Sequence, residues 1–479
     1  MGRWLLWFFL ALGGGQAASA GTAPNFVIIH VDDLGYADIG PFGSTLNATP
    51  NLDRMAREGR CLTSHYAAPV CSPSRASLLT GCYPKRVLPI PHVLFPASAV
   101  GLHPGEVTIA EVLKGKGYRT ACVGKWHLGD QPGLLPMDQG FDSFFGLPYS
   151  NDMGPREDGA KSDFGSEPKP AKAQTNPGGK ADEAGLRGDD QPPLPLMRNG
   201  TVIERVGREG QASLTRRYTE EAVRFLKEAG DSPFFLYLAH TAVHFPLYPG
   251  EGFRGRSKNG LLGDWVEEVD WSTGRVFRVL EELGLDARTL VIFTSDNGGT
   301  TRSSNAPLRG FKASTWEGGI RVPTIVRWPG RIPAGGRTTA ITGHLDWLPT
   351  LACLAGAELP PGRVLDGVDL WPALTGGGRP REIFHYFRGA VLEAVREGRW
   401  KLHLGSGALY DLEADPGESH DLASTRPAEV ERLRVLAGKM EDGLGTARFG
   451  PECRPLGRHP QPCPLLAPDG SIRPGFEPK

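Results

Sequence analysis

Four stretches of the chain are largely apolar and then stop at polar residues. NFVIIHV (Asn25 to Val31) ends at Asp32 and Asp33, and RTACVG (Arg119 to Gly124) runs into Lys125, Trp126 and His127. PFFLYLAH (Pro233 to His240) leads into TAVHFP, and TLVIFTSDNGG (Thr289 to Gly299) stops at Asp296 and Asn297. Short continuous apolar runs of this kind read as strands covered on both faces. Helical periodicity lies between them, in ATPNLDRMAREG, TIAEVLKGKG, LTRRYTEEAVRFLKEAG and GDWVEEVDWSTGRVFRVLEELG. The alternation predicts an α/β domain with a large, mainly parallel central sheet flanked by helices. Such sheets place their sites beyond the carboxyl ends of the strands, and all four strand ends here carry ionisable or metal-capable residues.

The pattern breaks between Met153 and Pro195, which is rich in Gly, Pro, Lys and Asp and reads as an excursion loop. PLMRNGTVIERV then predicts a hairpin turning at Asn199-Gly200. After about Gly376 short strands and turns precede one amphipathic helix, PAEVERLRVLAGKMEDGLG, which predicts a smaller α+β domain with an antiparallel sheet. The Pro-rich end is expected to wrap the surface. The basic start MGR, the apolar core WLLWFFLAL and the small residues at Ala18 and Ala20 form a secretory leader cleaved after Ala20. The expected organisation is therefore residues 1–20 as leader, 21–375 as catalytic domain and 376–479 as the smaller domain with its tail.

Composition narrows the function classes. A net charge of −1 with no basic run gives nucleic acid no electrostatic footprint, and no segment after the leader is long and apolar enough to span a bilayer. The mature protein is expected outside the cytoplasm: secreted, periplasmic or lysosomal. Seven cysteines in 479 residues are too few for a disulfide scaffold, and the odd number leaves one without an internal partner. Cys453 and Cys463 could pair; Cys61, Cys82, Cys122 and Cys353 could be thiols or bridges. Asn47-Ala48-Thr49 and Asn199-Gly200-Thr201 are glycosylation sequons, relevant only in a host that glycosylates.

Adjacent aspartates at the end of a buried strand are costly unless they are exposed or hold a cation. Asp32 and Asp33, with Asp296 and Asn297, supply hard oxygen ligands suited to Ca²⁺ or Mg²⁺, and no Cys/His set with zinc spacing accompanies them. Lys125 and His127 in GKWHLG, and His240 and His244 in HTAVHFP, are candidates for anion binding and proton transfer. Lys312, in LRGFKASTWEGGIRVP, follows the metal strand and could complete an oxyanion pocket.

The remaining motif is CSPSRASLLTG, residues 71–81, a cysteine in a chain bound for an oxidising compartment. It resembles the sulfatase signature, in which that cysteine is oxidised after translation to Cα-formylglycine. The resemblance covers nearly all of the mature chain through NFVIIHVDDLGYADIG, GKWHLG, GFDSFFGLPYSND, TSDNGG, FKASTWEGGIRVPTIVRWPG and LYDLEADPGESHDL. It is closest to arylsulfatases of the arylsulfatase A and galactosamine-6-sulfatase kind, and implies an alkaline phosphatase-like fold. It further implies sulfate-ester hydrolysis, with residue 71 as a hydrated aldehyde whose one hydroxyl attacks sulfur to give a covalent sulfate ester while the other allows its release. Asp32, Asp33, Asp296 and Asn297, with residue 71, would hold Ca²⁺, or Mg²⁺. Arg75 would steady the hydrate, and Lys125 and Lys312 would bind sulfate oxygens. His127 would act as base, His244 as the acid-side partner of the leaving oxygen, and Ser150 would contact substrate. The implied partners are a formylglycine-generating maturation enzyme and a sulfated small molecule or glycan.

Three departures from the family pattern bear on the site. The spacing of His240 and His244 is one residue longer than is common, so the sequence leaves open which of them acts, with the following Phe-Pro favouring His244. SDNGG lacks an acidic residue that some relatives carry shortly afterwards, and Asn151 follows Ser150. Two rivals have different chemistry. A phosphatase or phosphonate hydrolase of the same superfamily would need a second metal's worth of ligands, and an inactive secreted glycan-binding relative would have lost one of the Cys, Lys, His or Asp positions. A cysteine hydrolase leaves the remaining motifs without a role.

Overall fold

Strand β1 (Asn25–Val31) alternates between two apolar cores: Phe26 and Ile28 enter one, Val27, Ile29 and Val31 the other. Burial on both faces is why its sequence is a continuous apolar run and not an alternation. The computed structural model describes residues 23–167, 183–446 and 448–478, so the expected leader lies outside the described residues. The other strands of the central sheet are, in chain order, β2 (Arg60–Leu62), β3 (Arg119–Gly124), β4 (Ser143–Gly146), β5 (Pro195–Arg198) and β6 (Thr201–Arg205). They continue with β7 (Phe234–Ala239), β8 (Thr289–Ser295), β9 (Thr324–Arg327) and β10 (Gly336–Thr338). The order across this 10-stranded sheet is β10-β2-β9-β8-β1-β7-β3-β4-β5-β6. Its centre, β8-β1-β7-β3-β4, is wholly parallel, and β9 and β5 run against it.

One face is covered by α2 (Cys71–Thr80), α3 (Ile109–Lys114) and α6 (Trp347–Leu354), the other by α1 (Pro50–Glu58), α4 (Leu214–Glu228) and α5 (Gly260–Glu282). A second sheet of four antiparallel strands, β11 (Ile383–Arg388), β12 (Val391–Glu397), β13 (Trp400–His403) and β14 (Leu409–Asp411), packs with α7 (Pro427–Leu444). Its core is not its own: Phe384, Tyr386 and Leu402 share one cluster with Tyr66, Tyr83 and Ile320 of the larger domain. The tail returns to the large sheet. Gly457–Arg458 pairs with Val100–Gly101, and the Val202 N–H donates to the Phe476 carbonyl at 2.7 Å.

The predicted hairpin forms, with Asn199 at φ +53° in its turn. Asn199 is exposed, whereas Asn47 is buried and donates through Nδ2 to the Asp38 carbonyl at 2.8 Å, so only the second sequon is presented. All seven cysteines are free thiols, and Cys453 Sγ donates to the Leu444 carbonyl and not to Cys463. Among the described residues no helix is long and apolar enough to cross a membrane.

Buried titratable groups give the fold a pH dependence. Burial lowers the imidazoles of His240 and His344 to about 3 and that of His385 to about 4, and holds His30, His65 and His127 well below their ordinary value. Each stays neutral when folded but takes a proton when unfolded below about pH 6.5, costing roughly 1.4 kcal/mol of stability per further pH unit. Burial raises Asp130 and Asp270 to about 6 and Glu268 to about 7, which acts in the opposite sense between pH 7 and 4. Six imidazoles outweigh these three carboxyls together with Asp296, which burial also raises to about 6. The urea midpoint is expected to fall steadily from pH 6.5 to 4.5; a midpoint that rises over this range would show that the carboxyls dominate.

Candidate active site

The register of the parallel strands gathers the site. Val31 is level with Ser295 of β8, His30 with Ala239 of β7, and Gly124 of β3 also with Ala239. Asp32-Asp33, Lys125-His127, the loop from His240 to His244, and Asp296-Asn297 therefore leave the sheet at one edge. Gly124 sets how closely they approach. It sits at φ +110°, and a Cβ there would lie 1.8 Å from the Ala239 carbonyl oxygen, the same oxygen that accepts the Lys125 N–H at 2.7 Å. Gly124→Ala is expected to destabilise the protein by about 3 kcal/mol or more, and a melting temperature within error of wild type would refute that.

Cys71 opens α2, the helix facing these strand ends, and is 2 % exposed. Pro73 fits the first turn, where no backbone donor is needed. Ser72 and Ser74 fix the approach by accepting the N–H groups of Leu94 and Ala68. Cys71 Sγ is 3.5 Å from Asp32 Oδ1 and 3.5 Å from Lys312 Nζ. Burial first, then the Asp32 carboxylate, pushes its thiol well above the ordinary value.

One helical turn on, Arg75 is fully buried and clamps three strand ends together. It donates to the Lys125 carbonyl at 2.7 Å and to Asp296 Oδ2 at 3.0 Å, and lies 3.6 Å from Asp32 Oδ2. The Lys125 ammonium bonds the Asp32 carboxylate and reaches Ser150 Oγ at 3.1 Å. Lys312 Nζ lies 2.7 Å from Asp33 Oδ1. Burial alone would raise Asp32, but Lys125, His244 and Arg75 hold it well below its usual range. Burial and then Asp32 raise Asp296 to about 6. The Lys312 segment is fixed from the smaller domain: Lys401 Nζ donates to the Thr315 carbonyl at 2.7 Å and lies 3.0 Å from Glu317 and 2.9 Å from Glu418.

The histidines separate in space. His240 is buried against Ser272 Oγ at 3.1 Å, away from the cluster, whereas His244 Nε2 lies 3.6 Å from Asp33 Oδ2. His244 Nδ1–H donates to the Phe245 carbonyl at 2.5 Å and sits 3.4 Å from Ser150 Oγ. His127, at φ +64°, donates Nε2–H to the Leu94 carbonyl at 2.8 Å, leaving Nδ1 buried without a partner. That lone pair is free to accept a proton. Asp152, marked in the sequence only as an acid two residues past Ser150, also reaches the site, its Oδ1 lying 4.0 Å from His244 Nδ1.

The donor set fits a divalent cation. Ligand atoms of Asp32, Asp33, Cys71 and His244 lie within 4.8 Å of one another. The Asn297 Oδ1 beside them is buried with no partner, while its Nδ2 donates to Asp33 Oδ1 at 2.7 Å. Asp33 takes the left-handed conformation at φ +61°, a strained position of the kind found at functional sites. Asp296 is in the same shell but turns Oδ2 to Arg75 and accepts the Asp33 N–H through Oδ1 at 3.3 Å.

The profile of the sulfatase family matches residues 24–357, and that of the N-sulphoglucosamine sulphohydrolase C-terminal region matches residues 311–442. Similar proteins include mouse steryl-sulfatase, 41 % identical over 89 % of this chain and 82 % of that protein, and human arylsulfatase A, 38 % identical over 94 % of each. Canine N-acetylgalactosamine-6-sulfatase is 38 % identical over 84 % of this chain and 75 % of its own. Among solved structures, Ps i-CgsB in complex with k-i-k-neocarrahexaose superposes with a TM-score of 0.71 at 31 % identity, covering 87 % of this chain and 92 % of that one. The PsFucS1 sulfatase from Pseudoalteromonas sp. gives 0.75 at 28 % identity, covering 88 % and 90 %.

Proposed function

The chain belongs to the sulfatase family and is a sulfuric ester hydrolase, and from that premise we propose that it acts on a sulfated glycan through Cys71 matured to Cα-formylglycine, with one divalent cation, Ca²⁺ or Mg²⁺. The observation that carries this reading is the convergence on Cys71 of a carboxylate at 3.5 Å, an ammonium at 3.5 Å and further buried oxygen donors from two strand ends. The glycan is favoured by the carrahexaose and galactosamine-sulfatase relatives. Maturation requires a formylglycine-generating enzyme, encountered before or during export.

When formed, the hydrated aldehyde supplies two hydroxyls on one carbon, one to attack sulfur and one to allow sulfate to leave. The cation would be held by Asp32, Asp33, Asp296 and Asn297 beside residue 71 and would supply Lewis-acid polarisation of the ester. The chain's own groups do the rest. Lys125 and Lys312 approach from opposite partners, Asp32 and Asp33, and offer ammonium donors to the sulfate oxygens in a largely buried site. Arg75 holds Asp32, Asp296 and the Lys125 backbone in one arrangement, which keeps the donors preorganised. His127 receives a proton at Nδ1, because Nε2 is committed to Leu94. His244 turns Nε2 towards the cluster because Nδ1 is committed to Phe245, so Nε2 is the atom that hands a proton to the leaving oxygen. Ser150 links Lys125 to His244 and positions both.

The test is peptide mass spectrometry on Cys61 to Arg75 from the native host, with a sulfate-ester assay on the same preparation. An aldehyde that forms a hydrazone, together with sulfate release, supports the reading. An intact thiol in protein that releases sulfate would overturn the proposed nucleophile, and absence of release from aldehyde-bearing protein would overturn the activity.

A further inference from the structure

A cleft of about 550 Å³ opens beside His244. Val243 and Phe245, which flank that histidine, form one wall, and Thr300, Thr301 and Arg302, which follow the Asp296-Asn297 turn, form another. Its position makes it the space into which the group attached to sulfate must project. Resting on the sulfatase reading, we infer that this cleft receives a saccharide leaving group that carries a second anionic substituent, held by Lys161 and Arg302 over the ring of Phe245.

Charge decides the class. The lining contains Arg156, Lys161, Arg187 and Arg302 against two acids, Asp152 and Asp189. Arg156 pairs with Asp189 at 3.0 Å, and Asp152 faces His244. Lys161 Nζ donates to two neutral oxygens, the Asp152 carbonyl at 2.6 Å and Gln191 Oε1 at 2.5 Å. Arg302 donates through Nη1 to Asp163 at 2.7 Å, is 35 % exposed, and lies 5.2 Å from the Phe245 ring centroid. A planar guanidinium of this kind keeps further N–H groups for a carboxylate or sulfate. A lipid or steryl leaving group would cover Lys161 and the remaining N–H groups of Arg302 without offering either an acceptor. The apolar lining of Phe95, Phe245 and Leu247 suits the C–H face of a sugar ring, with the anion carried at its edge.

The experiment compares three substrates on matured enzyme: 4-methylumbelliferyl sulfate, a monosulfated neutral disaccharide, and the same disaccharide bearing a uronate or a second sulfate. The expected ratio of kcat/KM, anionic over neutral disaccharide, is about tenfold or more, and it shrinks as salt is raised. In Lys161→Gln and Arg302→Gln that ratio is expected to fall about fivefold or more, chiefly through KM; because it is taken within each variant, general damage to the fold cancels. A wild-type ratio near one, or a ratio retained in both variants, overturns the inference, while hydrolysis of 4-methylumbelliferyl sulfate leaves the sulfatase reading standing. Failure of aldehyde-bearing enzyme to hydrolyse any of the three overturns both.

Discussion

Cys71→Ser is expected to abolish turnover, by about 10⁴-fold or more, as removal of a nucleophile does elsewhere. The substitution is nearly isosteric and slightly smaller, so the buried start of α2 accommodates it without overpacking. A serine at this position stands in the same frame of Asp32 and Lys312. It carries one hydroxyl where the hydrated aldehyde carries two. It can take sulfate once but has no second oxygen through which to clear it. The expected result is a single, substoichiometric or stoichiometric sulfation of the peptide Cys61 to Arg75 with no steady state, and nothing at all in Cys71→Ala. Melting temperatures close to wild type would show that the fold is intact. Steady turnover by the serine variant would sink the two-hydroxyl argument, and sulfatase activity that survives in Cys71→Ala would place the nucleophile elsewhere.

What the sequence made legible follows from where information is local. Strand β1 has the bounds predicted for it, Asn25 to Val31, because burial on both faces writes itself as an uninterrupted apolar run ended by charges. Helix α7 covers the predicted segment because one face packs on β12 and the other meets water. Helix α2 is the opposite case. Every one of its residues is buried, so no amphipathic period marks its bounds, and only the apolar stretch behind the motif suggests a helix. Strands β2 and β10 are three residues each and pair across the chain, leaving no periodic signal. The choice between His240 and His244 needed space: four residues apart in sequence, one faces Ser272 and the other Asp33. The cleft draws its walls from Phe95 to Arg302, a set no motif contains. The shared core of Tyr66 and Phe384 is likewise invisible in composition, although the smaller domain's sheet was not.

Lys125→Met is expected to lower kcat/KM by about 10²–10³-fold and, against intuition, to lower the concentration of divalent cation the enzyme requires. Three carboxylates, Asp32, Asp33 and Asp296, face three cations, Arg75, Lys125 and Lys312, so the site is charge-balanced before an ion enters. A divalent cation adds the two positive charges that a sulfate dianion leaving the site would match. Lys125 serves both balances. Its ammonium is fully buried, bonded to the Asp32 carboxylate and directed by Ser150, and methionine keeps most of its length while removing its charge. Sulfate loses a charge-assisted donor, which lowers the rate. Asp32 loses its tightest competitor for the ion, which strengthens cation binding. Breaking a buried pair also leaves Asp32 undercompensated, so in chelator the variant should melt below wild type and regain that loss when Ca²⁺ or Mg²⁺ is added. Titrating chelated protein with either ion, followed by activity and by thermal shift, separates these effects. A variant that needs more cation than wild type would show that Lys125 supports the ion instead of competing with it, and unchanged kcat/KM would remove Lys125 from sulfate binding.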